Sequence, residues 1–215
     1  MFQQFITLSQ QSTGIIPLLS LLLLLVIVVS IERGIYFARL VPSGLKLNQE
    51  LQATNHHEIN ALRTISRQYE GTVFEAPLEA ALEARHLDAN HMDRYIDEAI
   101  VHELPRLDRF LWMIDACVTL GPLIGLLGTI IGITESFNVF GNGKQDIGAV
   151  MGGIGHALAA TACGLVVAIV GVAANAYFGK RLRVAMLQLD LLKFTCVKHF
   201  HLKDHVRLRA QSAAA

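Results

Sequence analysis

The stretch GGIGHALAATACGL, residues 152–165, lies within a run from Ile147 to Gly179 that contains no Asp, Glu, Lys or Arg. An α-helix rises about 1.5 Å per residue, so about 20 apolar residues cross the roughly 30 Å hydrocarbon core of a bilayer. This run is longer than one crossing needs, and we expect it to tilt or to continue past the membrane surface as one helix. The sequence therefore predicts a membrane helix interrupted by a single histidine, His156.

Two further uncharged runs, Met1–Ile31 and Ala116–Thr134, are also long enough to cross a bilayer. The chain is 53% hydrophobic and only 17% charged, with a mean hydropathy of +0.44. Nothing basic precedes the first run and no small-x-small cleavage site is evident, which favours an anchor over a signal peptide. No segment alternates with the period of a β-strand. We therefore predict an all-α integral membrane protein with three transmembrane helices.

The distribution of basic residues predicts the topology. Nine Lys and Arg lie between Arg33 and Arg109, eight lie from Lys180 onward, and the loop between the second and third spans holds Lys144 alone. The positive-inside rule then places the N-terminus outside and the C-terminus inside the cell. The predicted segments are a periplasmic N-terminus (1–14), a first span (15–40), a cytoplasmic helical region (41–109), a second span (110–139), a periplasmic loop (140–146), a third span (147–179) and a cytoplasmic C-terminal helix (180–215).

The region 41–109 is expected to form a small helical bundle, too short and too poor in aromatics for an enzyme domain. The expected interruptions are Pro42, Gly44, Gly71 and Pro77. Helical spacing predicts one helix through Met92, Ile96, Ile100 and Leu104, ended by Pro105, and another around Ala80, Ala81 and Ala84. The C-terminal helix is expected to bury Leu182, Met186, Leu189, Leu192, Cys196 and Phe200. The arginines near the span ends, Arg33 among them, are interpreted as interfacial anchors.

Small residues line one face of the second span and more than one face of the third. Gly121, Gly125, Gly128, Thr129, Gly132 and Ser136 fall within an arc of roughly 100° on a helical wheel. Membrane helices associate through such small faces, because lipid provides no hydrophobic drive for their association. Three spans bury too little of this surface by themselves, so we expect an oligomer.

The two motifs GPLIGLLGTIIGITESF (121–137) and GIGHALAATACGLVVAI (153–169) resemble the second and third helices of the MotA/TolQ/ExbB proton-channel family. Three spans and this length resemble the ExbB and TolQ branch. The resemblance implies a homopentamer in the bacterial inner membrane, with two copies of a single-span ExbD- or TolR-like partner in its pore. An intramembrane aspartate of that partner would carry protons, and a TonB-like protein would receive the work. The family's two pore threonines correspond to Thr129 and Thr161.

The residues themselves support part of this picture. Neither Ala116–Thr134 nor Ile147–Gly179 contains a carboxylate, so a partner would have to supply an intramembrane acid. His156 stands where ExbB and TolQ carry a glutamate, and Gly152 and Val170 stand at positions where proline is common. We expect His156 either to act in ion passage, donating a hydrogen bond across a subunit interface, or to serve packing alone.

Two carboxylates border the second span. Glu135 lies near Lys144 at its outer end and Asp115 at its inner end, and each is interpreted as a possible pore-mouth residue or as a solvated charge. The i, i+4 histidine spacing in the tail, among His199, His201 and His205, is more typical of a solvated face than of a metal site. We expect no cofactor, no metal, no enzymatic activity and no nucleic-acid partner, since the net charge is zero and no catalytic or phosphate-binding motif is present.

The predicted function is that of a pore-forming subunit of a proton-motive-force-driven stator complex that powers TonB-dependent outer-membrane transport. A TolQ-like subunit of the Tol-Pal envelope system and a non-conducting membrane scaffold remain alternatives. The sequence leaves open whether the transported ion is H⁺ or Na⁺.

Overall fold

A computed structural model describes residues 14–53, 59–141 and 147–213, and every regular element within these ranges is a helix. The elements are α1 (Ile15–Ala53), α2 (Ile59–Gln68), α3 (Glu75–Glu83), a short 3₁₀ turn (Ala84–His86), α4 (Ala89–Leu107), α5 (Leu111–Gly141) and α6 (Ile147–Ala213).

Three of the described helices are long and apolar enough to cross a membrane. The candidate spans are α1, residues Leu111–Phe137 of α5, and residues Val150–His201 of α6. The helix α6 is unbroken over 67 residues, as expected for a third span that continues beyond the bilayer. The chain is therefore an all-helical membrane protein.

The chain divides into two compact units. The first, here called the spanning unit, comprises Met1–Gly34 and Phe110–Phe178. Its buried core includes Val26 of α1, Cys117 of α5 and Val167 of α6, with leucines 22, 23 and 25 packed around them. Its outer surface carries exposed leucines, isoleucines and valines, a composition suited to contact with lipid.

The second unit, here called the extension unit, comprises Ile35–Arg109 and Gly179–Ala215. The predicted face of α3 is buried at Ala80 and Ala81, and that of α4 at Met92, Ile96 and Ile100, while Leu104 is half-buried. On α6 the predicted face is wrong at Met186, which is 37% exposed. Leu189, Leu192 and Cys196 are buried as predicted, and together with Ala185 they form the buried stripe. They repeat every three to four residues, and Met186 lies about 100° to one side of that stripe.

The expected interruptions at Pro42, Gly44, Pro77 and Pro105 are wrong. Pro42 lies inside α1, which continues to Ala53, Pro77 lies within α3, and α4 ends two residues after Pro105. A proline inside a helix costs about 3 kcal/mol because it removes a hydrogen bond, so tertiary packing of neighbours such as Val41 must offset it at Pro42. Gly71 has a φ of +77° and does lie in a turn.

Gly44 serves close packing rather than a break. A Cβ atom there would meet the side-chain amide of Gln188 and the ring of Phe74. The same amide donates to the carbonyl of Val41 at 3.0 Å, and Asn48 donates to the carbonyls of Gly44 at 3.0 Å and Gln188 at 3.3 Å. Two buried amides therefore join α1 to α6 within the extension unit.

Candidate functional site

The backbones of α5 and α6 come into direct contact in the spanning unit. A Cβ atom built on Gly121 would lie 3.0 Å from the carbonyl oxygen of Gly164, and one on Gly125 would lie 3.0 Å from both the carbonyl oxygen of Ala160 and the Cα of Thr161. A Cβ atom at either position would therefore fit only if the two backbones moved apart. The glycine face predicted from the sequence thus packs against α6 of the same chain.

Gly152 and Gly155 differ from these glycines, because no atom lies within 4 Å of a Cβ built on either. They lie on α6 on a face that α1 and α5 leave open. Cys163 is exposed as well. Part of the small-residue surface of α6 is therefore not covered by the described residues of its own chain.

The two threonines donate to consecutive carbonyls of α5. The Thr161 hydroxyl reaches across from α6 to the carbonyl of Gly125 at 2.9 Å, and the Thr129 hydroxyl donates to the carbonyl of Leu126, three residues earlier in its own helix, at 2.7 Å. Both hydroxyls therefore lie at the same level of the α5–α6 pair. Both side chains are partly accessible.

His156 forms its hydrogen bond within its own helix. Its Nδ1 lies 2.8 Å from the carbonyl oxygen of Gly152. Because a carbonyl can only accept, Nδ1 carries the hydrogen, and in a neutral ring Nε2 is then an acceptor. A neutral His156 can thus accept a hydrogen bond from a neighbouring molecule through Nε2, whereas donating one requires the protonated ring.

Asp115 is paired with a side-chain amide of α6. The side-chain amide of Asn175 on α6 donates to Oδ1 of Asp115 at 3.3 Å, and the Thr119 hydroxyl donates to the backbone carbonyl of Asp115 at 3.2 Å. Glu135 is exposed near the other end of the span, and Lys144 lies outside the described residues. Asp115 and Asn175 lie on different helices, and no pattern in the sequence predicts their contact.

Arg33 is buried rather than placed at an interface, which corrects its interpretation as an anchor. Its side chain is 2% exposed, with Nε 2.9 Å from a carboxylate oxygen of Glu32. Its guanidinium carbon lies 5.7 Å from the centre of the Phe110 ring. Phe110 has a φ of +64°, a conformation uncommon for a residue other than glycine. The sequence contains no pattern that would have identified this contact.

The part of the chain that the structure describes contains no group of three or more His, Cys, Asp or Glu side chains close enough to hold a metal ion. In the C-terminal segment, His199 is buried and stacks edge-on against Phe200. His199 is therefore not part of the solvated face expected for the tail. The side chain of His205 lies outside the described residues.

Comparison with known proteins identifies the family. A model of the MotA/TolQ/ExbB proton channel family matches residues 65–190, more than half of the chain. The biopolymer transport protein ExbB of Neisseria gonorrhoeae is 39% identical over 88 residues, which cover 39% of this chain and 40% of that protein.

Two ExbB-like proteins of Synechocystis are also similar. ExbB-like 3 is 43% identical over 77 residues, covering 34% of this chain and 37% of the relative. ExbB-like 1 is 28% identical over 157 residues, covering 71% and 61%. The chain thus spans between about two fifths and three fifths of the length of these relatives. On the match of the family model and these relatives, the chain belongs to the MotA/TolQ/ExbB proton channel family, in its ExbB-like branch.

Proposed function

We propose that this chain is the pore-forming subunit of an inner-membrane complex that couples the proton-motive force to transport across the outer membrane. In this proposal five copies surround two single-span, ExbD-like partners, and a TonB-like protein receives the work. The N-terminus lies in the periplasm, and the extension unit lies in the cytoplasm. Family membership supports the energising role, and the name of the Neisseria relative, a biopolymer transport protein, supports transport of a biopolymer.

The observation that carries the proposal is the position of the two threonines. Their hydroxyls meet consecutive carbonyls of α5 at a level where neither helix of this chain has a charged side chain. Hydroxyls at that depth can solvate an ion or bind a partner's carboxyl group, while the closely packed glycines keep α5 and α6 rigid. The acid that takes up the proton would then come from the partner helix.

His156 completes this arrangement in a different way from the glutamate of relatives. With Nδ1 donating to Gly152, Nε2 is available to accept a hydrogen bond from a protonated carboxyl group of the partner. The open faces at Gly152 and Gly155 beside it leave room for another helix to approach. We assign His156, Thr129 and Thr161 to the ion pathway and keep Glu135 and Asp115 as residues of its two mouths.

The test is co-expression of the chain with its genomic neighbours, native mass spectrometry of the purified complex, and proton flux in proteoliposomes. The expected result is five copies with two single-span, aspartate-bearing partners, and flux that depends on those partners. Thr161→Val should reduce flux with the assembly intact, whereas Thr134→Val should not. The Thr134 hydroxyl donates only within its own helix, to Ile130.

Three outcomes would contradict the proposal or alter it. Equal flux in the Thr161→Val and Thr134→Val complexes would remove Thr161 from the pathway. A TolR-like partner would assign the chain to the Tol-Pal system instead of the TonB system. A complex without an aspartate-bearing partner and without flux would leave a membrane scaffold as the function.

A further inference from the structure

Asp115 and Asn175 form a second polar site on the faces of α5 and α6 that carry the threonines. Fourteen residues separate Asp115 from Thr129, and fourteen separate Thr161 from Asn175. On a helix this places each pair within about 40° of one another and about 21 Å apart along the axis. The helices α5 and α6 run in opposite directions. Asp115, which precedes Thr129, and Asn175, which follows Thr161, therefore lie toward the same end of the helix pair.

The contacts between the helices agree with this register. The Thr161 hydroxyl meets Gly125, a Cβ on Gly171 would meet the side chain of Val118, and the Asn175 amide meets Asp115. The carboxylate and the threonines therefore lie on one continuous strip of the α5–α6 pair. Asp115 is also the fifth residue of the apolar segment Leu111–Phe137, close to one end of it, and its side chain is exposed in the described chain.

We propose that Asp115, oriented by Asn175, is a proton-binding site of this chain at the inner end of the ion pathway. The inference rests on the proposed function for its position in the pathway. A proton arriving along the strip adds to a carboxylate oxygen of Asp115 to form the neutral acid, and the same O–H bond breaks when the proton leaves to water. No other bond changes.

The chemistry of the pair favours a proton over a metal cation. Asn175 turns its N–H group, not its amide oxygen, toward the carboxylate, and the Thr119 hydroxyl is directed to a backbone carbonyl. A sodium ion would need several oxygen ligands directed at one point. A single carboxylate beside an N–H donor does not supply such a set of ligands, whereas a proton needs only one carboxylate oxygen.

The other titratable groups in the described part of the spanning unit either bond to other partners or lie in the core or on the exposed surface. Arg33 is held by Glu32 and lies over Phe110, and His156 bonds to Gly152. Those that remain are Cys117, in the buried core, and Cys163, Tyr177 and Glu135, which are exposed.

Two measurements on the whole complex in proteoliposomes test the site. The first is labelling with dicyclohexylcarbodiimide, which reacts with protonated carboxyl groups in apolar surroundings, followed by peptide mass spectrometry. We expect Asp115 to be labelled in the wild type and the extent of its labelling to change in Asn175→Leu, which removes the donor to Oδ1. Equal labelling in the two proteins would contradict the role of Asn175.

The second measurement is proton flux. Asp115→Asn should reduce flux about a hundredfold, the lower range for loss of a positioned proton-transfer group, while Asp115→Glu should restore most of it. Asp190→Asn neutralises an exposed carboxylate on the same chain and should leave flux unchanged. Assembly is checked for every variant by native mass spectrometry.

The two measurements separate this inference from the proposed function. If the wild-type complex carries no flux but Asp115 is labelled, the proposed function fails and the proton-binding site stands. If the wild type carries flux and Asp115→Asn carries the same flux, the inference is overturned and the proposed function stands. Absence of label at Asp115 at every pH would overturn the inference in either case.

Discussion

Gly164 lies where the backbones of α5 and α6 approach most closely, and its replacement by alanine tests the packing of the spanning unit. A Cβ atom there would lie 3.1 Å from the carbonyl carbon of Gly121 and 3.1 Å from the Cα of Gly125, and closer still to the Gly121 oxygen. All three are backbone atoms, so no side-chain rotation can relieve the clash. The helices would have to separate by about 0.5–1 Å, which forfeits a quarter to a half of the dispersion energy of each affected contact.

The expected cost follows from two opposing terms. Overpacking of this kind typically destabilises by about 1–3 kcal/mol, whereas replacing glycine with alanine inside a helix stabilises by about 1 kcal/mol. The net change for Gly164→Ala is therefore a loss of up to about 2 kcal/mol. Gly179→Ala is the matched control on the same helix, because a Cβ there meets nothing within 4 Å. It should gain about 1 kcal/mol from helix propensity alone.

Thermal unfolding in lipid nanodiscs provides the assay, with the fluorescence of the single tryptophan, Trp112, as the signal. Trp112 lies in the first turn of α5 and reports directly on that helix. We expect Gly164→Ala to unfold at a lower temperature than the wild type and Gly179→Ala at the same or a higher one. Equal unfolding temperatures for the two variants would refute backbone-limited packing between α5 and α6.

Three further predictions use the same assay. Arg33→Met should destabilise the protein by about 1 kcal/mol through loss of the cation–π contact. Arg39→Met removes an exposed arginine and should have little effect. Similar losses of stability in both variants would contradict the burial of Arg33. Gly71→Ala should cost about 1–2 kcal/mol because its φ is +77°, and a neutral result would exclude that turn geometry. Lys193→Met removes a 2.8 Å ion pair with Asp97 and should cost no more than about 1 kcal/mol, with a smaller difference at high salt; a salt-independent loss would indicate packing as the cause.

Much of the fold follows from local features of the sequence. The uncharged runs predict three helices of membrane-spanning length because hydrophobicity and helix length are both properties of contiguous residues. The glycine face of the second span also follows from the sequence, since residues three and four apart lie on one side of a helix. The sequence does not show what packs against that face. Neighbouring subunits were expected to cover part of the small-residue surface, and the structure places α6 of the same chain against the glycine face.

Predictions from the sequence were wrong where tertiary packing outweighed a local rule. Pro42 was expected to interrupt the chain, yet α1 continues past it, because buried neighbours offset one lost hydrogen bond. Arg33 was interpreted as an interfacial anchor, yet its side chain is 2% exposed and lies over an aromatic ring. The ring over Arg33 belongs to Phe110, far away in sequence, so this contact could not be found from composition or periodicity.

The sequence by itself determined the helical class, the number of candidate spans and the family, because each depends on runs and motifs of adjacent residues. Tertiary structure alone decided which polar groups meet. Asp115 and Asn175 are sixty residues apart, and Thr161 donates to a carbonyl thirty-six residues away. A hydrogen bond depends on the register between two helices, and that register is set by the contact of backbones at glycines 121, 125 and 164.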